Sequence, residues 1–114
     1  MEETSMKEAI QLQNIQQINE LLSKLSDELD SQEAKKAVQV AYNKINVPTK
    51  TSEKYKQVPD AIAQMKKDFS RLSLAKKTHF TRSQEAIVTE LTTFTRQAFQ
   101  KGFDGIAYAN IWFG

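Results

Sequence analysis

The chain has 114 residues, 39% of them hydrophobic and 26% charged, which fits a single soluble domain with one core. It has no cysteine, one histidine and three glycines, the glycines all in the last thirteen residues, so disulfides and thiolate chemistry are excluded, and multi-histidine metal sites and glycine-rich phosphate loops before residue 102 fall with them. Net charge is +2, too balanced to imply nucleic-acid binding, although residues 1–46 carry −3 and residues 47–114 carry +5, a dipole that can steer a partner.

Scarce glycine and proline, with abundant Gln, Glu, Lys, Leu and Ala, predict an all-α chain. The first helix is expected over about residues 5–29. Ser5 and Glu8 form an S-x-x-E capping box, and Ile15, Ile18, Leu22, Leu25 and Leu29 line one face at 3-4-3-4 spacing. A second helix is expected over 31–46, opened by a D-x-x-E box at Asp30 and Glu33. Its stripe runs through Ala34, Ala37 or Val38, Ala41 and Ile45, and Pro48 ends it, because the residue before a proline avoids the α region. The polar, lysine-rich stretch from Val47 to Gln57 reads mainly as a loop, with room for one helical turn near Tyr55.

Pro59 suits a first helical position, where its missing N–H leaves no bond unmade, so the third helix is expected over 59–76. Ile62, Met65, Phe69 and Leu72 form its stripe. Thr81 and Gln84 make a T-x-x-Q capping box that opens a fourth helix over 82–101, striped by Ile87, Leu91, Phe94 and Ala98. Its β-branched residues alone would argue for a strand, but twenty residues without a turn signal outweigh them. Gly102 fits the residue just past the helix end. Four amphipathic helices with short connections predict an antiparallel four-helix bundle, one domain over 1–114.

The ending, Phe103 to Gly114, is neither polar nor charged. Phe103, Ile106, Tyr108, Ile111, Trp112 and Phe113 make up half of it, and Asp104 is its one charge. We expect a structured aromatic tail, mostly docked on the third and fourth helices, with one or two rings presented to a partner. Phe103 and Ile111 are the expected docked set. Tyr108 and Trp112 are the expected presented set, since each joins an apolar face to a hydrogen-bonding tip.

A second feature is basic: Lys66, Lys67, Arg71, Lys76, Lys77 and Arg82, with Asp68 the one acid among them. It reads first as a solvated helix face and second as a surface attracted to acidic proteins or to an anionic membrane leaflet. No catalytic set is found. His79 has no second ligand nearby in sequence, and Glu85 and Glu90 sit about 140° apart around the helix axis. Neither enzyme activity nor a metal or cofactor is expected. The acidic start Met1-Glu2-Glu3 and the lack of a long apolar run predict neither a secretory signal nor a membrane span, so a cytosolic monomer is expected.

The segment Thr78-His79-Phe80-Thr81-Arg82-Ser83-Gln84-Glu85, followed by Ile87, Leu91, the Gly102–Gly105 turn and Tyr108, resembles the C-terminal half of the enterocin A immunity family. These are immunity proteins against class IIa, pediocin-like bacteriocins of Gram-positive bacteria. The resemblance runs from about Thr78 to Gly114; before that it is one of helix order and length. It implies a four-helix bundle with a structured C-terminal extension. It also implies protection from a pore-forming peptide by engaging the bacteriocin-bound mannose phosphotransferase permease from the cytosolic side. Carried onto this chain, recognition would fall on Arg96 to Gly102 and on Phe103 to Phe113, where composition had already marked the tail. The alternative, from a different class, is a helical adaptor or regulator of another soluble protein.

Overall fold

The computed structural model describes residues 2–100, with side chains from 7 to 99. Four helices follow in order: α1 (Glu2–Glu28), α2 (Gln32–Asn46), α3 (Thr51–Leu74) and α4 (Arg82–Thr95), the last running directly into a five-residue π-helical turn, Arg96–Gln100. No strand occurs among the described residues. Contacts between helix ends fix an up-down-up-down order. The end of α1 meets the start of α4 through Gln84 Nε2 donating to the Glu28 carbonyl at 2.6 Å. The start of α2 meets the turn after α3 through Lys77 and Glu33, 3.5 Å apart. The start of α3 meets the end of α4 through the Tyr55 hydroxyl, which donates to the Ala98 carbonyl. Helices α1 and α3 touch across the centre, whereas α2 and α4 hold opposite corners.

The core is the set of stripes the spacing predicts. Ile18, Leu22, Leu25, Ile45, Met65 and Leu91 are its largest wholly buried members, and all five positions of the α1 stripe are buried. Leu72, Phe94 and Ala98 are half-buried against that core. Removing one such Leu or Ile side chain typically costs about 2–5 kcal/mol, so these stripes carry most of the fold. Between α1 and α2, Asn19 and Asn46 exchange two amide hydrogen bonds of 3.0 Å, and Asn46 Nδ2 also reaches the Tyr42 carbonyl at 2.8 Å. Two half-buried amides satisfied in this way set the register of the pair.

The helix starts depart from the sequence reading in three places. Helix α1 already runs through Ser5, from Glu2, so the Ser5–Glu8 pair does not open it. The Glu8 carboxylate instead accepts from the Thr51 hydroxyl at 3.2 Å, across the bundle. Helix α2 is capped by Ser31, not Asp30: Ser31 Oγ accepts from the Ala34 amide at 3.2 Å. That one-residue shift leaves Glu33 in the first turn, from which it reaches Lys77.

The third departure is larger. Helix α3 begins at Thr51, so most of the expected loop is helical and Pro59 lies inside the helix. An interior proline costs about 3 kcal/mol. Tertiary packing offsets it here, because Val58 is wholly buried and Tyr55 packs against the core one turn earlier. Tyr55 and Val58 extend the α3 stripe backwards at three- and four-residue steps to Ile62. Lys50 caps this start without a side-chain bond.

Two termini are defined by backbone geometry. Lys76 has φ 61°, the left-handed region, just past α3. The Lys77 amide donates to the Leu72 carbonyl at 2.9 Å and the Lys76 amide to the Ser73 carbonyl at 3.0 Å, a Schellman closure at a position that favours glycine. At α4 the expected capping box is present in both halves: the Gln84 amide donates to Thr81 Oγ1 at 3.1 Å, and the Thr81 amide donates to Gln84 Oε1 at 2.9 Å. The α-helical part of α4 ends at Thr95, short of the expected 101, and the π-helical turn replaces its last stretch. Gly102 as a helix terminator, and the whole tail from Phe103, lie outside the described residues.

Candidate interaction surface

The expected recognition region begins where α4 changes helical pitch. A π-helical turn joins residues five apart rather than four. The change brings Phe99 into the core, 5% exposed, with its ring 6.0 Å edge-on from that of Phe94, five residues earlier. The ring of Tyr55 in α3 packs at a tilt on that of Phe99, 4.6 Å between centroids, and its hydroxyl donates to the Ala98 carbonyl. Partial burial raises the Tyr55 hydroxyl above its ordinary value of 10.0, favouring the neutral donor. Thr92 Oγ1 donates back to the Val88 carbonyl at 2.9 Å, whereas the buried Thr95 Oγ1 beside the pitch change has no hydrogen-bond partner among the described residues. Arg96 opens the turn and is exposed. Ile10 and Asn14 of α1, with Tyr55 and Gln97, border a shallow recess of about 430 Å³ there.

The other expected recognition residues, Phe103, Ile106, Tyr108, Ile111, Trp112 and Phe113, lie outside the described residues. Sequence reasoning did not assign Tyr55 and Phe99 to this cluster. The three-residue step from Tyr55 to Val58 was a usable signal, masked by Pro59. Phe99 fell off a stripe counted at α-helical pitch, which selects Ala98 instead.

The six basic residues are all exposed, but they do not share one surface. Lys66 borders a groove between α3 and α4, together with Ser70 and Ser73. Arg71 and Lys77 border a different groove, between α2 and α3. Arg71 pairs with Asp68 and Lys77 with Glu33, so part of this charge is answered locally. Exposed pairs of this kind add little stability, but they reduce the field available to a distant anion. His79 is exposed in the α3–α4 turn, where Thr81 supplies the cap and Phe80 packs on Phe69 at 4.8 Å.

The α3–α4 groove, about 610 Å³, is largely apolar: Phe69, Phe80 and Val88 form its floor and Leu74, 84% exposed, its lip. Among the described residues, no cluster of His, Cys, Asp or Glu has the grouping of a metal site, and no helix is long and apolar enough to cross a membrane. No family model, no curated protein and no solved structure matches the chain.

Proposed function

We propose that this chain is a bacteriocin immunity protein that protects a Gram-positive cell from a class IIa, pore-forming peptide. In this reading it acts without catalysis, from the cytosolic side, on the mannose phosphotransferase permease after the bacteriocin has bound. Arg96 and the aromatic residues from Phe103 to Phe113 are the contact region. The six exposed basic residues serve as a secondary attraction to the anionic inner leaflet, where each contributes about 1 kcal/mol.

The observation that carries the reading is the segment Thr78–Glu85, which resembles the immunity family. In this chain the same residues include the Thr81–Gln84 capping box that starts α4. The up-down-up-down bundle supports it as well, being the architecture the resemblance implies. The deciding experiment is expression of the full chain in a sensitive strain, followed by challenge with a panel of class IIa peptides. Protection against at least one peptide is expected. Protection against none would leave the helical adaptor, and capture of a soluble partner would then be the property to measure.

A further inference from the structure

Nothing local at the end of α4 asks for π geometry. Arg96, Gln97, Ala98 and Gln100 are all strong α-helix formers, and the turn holds neither glycine nor proline. We infer that α4 ends in a two-register element. The π register seats Phe99 in the core and is held by Tyr55, and an α register of the same residues seats Ala98 there and turns Phe99 toward the surface.

Angles around the helix define the choice. At about 100° per residue, the buried positions Gln84, Ile87, Leu91 and Thr95 centre on one direction around the α4 axis. Continued at α pitch, Ala98 falls about 25° from that direction and Phe99 about 75° from it. A π turn takes one more residue into the winding and so brings Phe99 to the place Ala98 would hold. Phe94 shows the same alternative: four residues on is Ala98, and five residues on is Phe99, whose ring it meets edge-on at 6.0 Å.

Two effects oppose each other here. α pitch suits the backbone and the local propensity, whereas π pitch buries a benzyl ring where α pitch would bury a methyl. Tyr55 decides between them, because it touches both competitors. Its ring packs on Phe99 at 4.6 Å, and its hydroxyl donates to the Ala98 carbonyl. It is therefore the latch of the π register, supplied by a helix more than forty residues away. One residue more or fewer in the winding turns whatever follows by about 100°, so the register sets the heading of the chain beyond Gln100. The inference does not depend on bacteriocin immunity.

The test exchanges the two competitors in the full chain, Ala98→Phe together with Phe99→Ala, beside Phe99→Ala alone and Tyr55→Phe. Register is read by NMR from the side-chain contacts of Phe94, and folding by circular dichroism. In the exchange variant the ring at position 98 is expected to pack on Phe94 and Tyr55, and residues 96–100 to run at α pitch. Its melting temperature should recover most of what Phe99→Ala loses; if Phe99→Ala does not fold, folding of the exchange variant is the recovery. In Tyr55→Phe the Ala98–Phe94 contact should grow at the expense of Phe99–Phe94. Amide hydrogen exchange over 96–100 should then be about fivefold faster, the effect of one lost hydrogen bond, with that over 87–92 unchanged. A π turn that persists with alanine at position 99, an exchange variant that melts as low as Phe99→Ala or does not fold, or wild-type contacts in Tyr55→Phe would each overturn the inference.

Discussion

The two ends of the bundle are held by different chemistry. At the end where α1 finishes and α4 begins, polar groups are answered one by one: Gln84 caps Thr81 and bonds the Glu28 carbonyl, and the Ser83 hydroxyl donates to the Glu28 carboxylate at 2.7 Å. At the opposite end the rings of Tyr55, Phe94 and Phe99 pack around a helix that has changed pitch, and one buried hydroxyl, Thr95 Oγ1, is left without a partner among the described residues. The first end is a fastening made by directed hydrogen bonds, local within the Thr81–Gln84 box and long-range from Ser83 and Gln84 to Glu28. The second depends on packing between segments more than forty residues apart, and it adjoins the expected recognition region. Irregular helix geometry beside an unsatisfied polar atom is a common mark of a functional end.

That contrast is open to direct attack. The largest effect is expected at the aromatic end: Phe99→Ala should lower unfolding free energy by about 3–5 kcal/mol in urea denaturation, since it empties the space the pitch change fills. A loss under 1 kcal/mol would mean the π-helical turn is not packed as described. At the polar end, Gln84→Ala should cost about 1–3 kcal/mol, because it leaves the Thr81 amide and the Glu28 carbonyl without their partner.

Tyr55→Phe should cost about 1 kcal/mol at neutral pH and also change the pH profile. An unfolded tyrosine loses its proton near pH 10, whereas burial holds the folded Tyr55 neutral to higher pH. Between those two values the unfolded state binds fewer protons, so stability falls as pH rises through that window. The wild-type minus Tyr55→Phe difference should therefore shrink above about pH 10 and stay flat below it. The smallest effect is a gain. Lys76→Gly should stabilise the protein by about 1 kcal/mol, since it relieves a side chain in the left-handed region at the α3 terminus.

The same contrast explains what could be read from the sequence. The polar end was legible in part because the Thr81–Gln84 box is a local pattern, and the four stripes were legible because their spacing matches one helical face. The link from Gln84 to Glu28 was not, since nothing local joins residues 56 apart. Helix α3 was misread at its start because proline and lysines dominate 47–57 locally, whereas burial of Val58 is a tertiary fact. Ser31 displaced Asp30 as a cap because both residue types suit the position and their motifs overlap by one residue. Of the recognition region, composition alone marked the tail. The cluster that receives the end of α4 depends on a pitch change with no signature at α-helical spacing.

The proposed function puts recognition on the aromatic residues from Phe103 to Phe113, and survival of sensitive cells tests it most directly. Cells expressing the wild type are compared with cells expressing Tyr108→Ala together with Trp112→Ala, beside the melting temperature of each purified protein. The expected result is protection by the wild type against a class IIa peptide and its loss in the double variant, with the melting temperature nearly unchanged. Full protection by the double variant, or no protection by the wild type against any class IIa peptide, would contradict it.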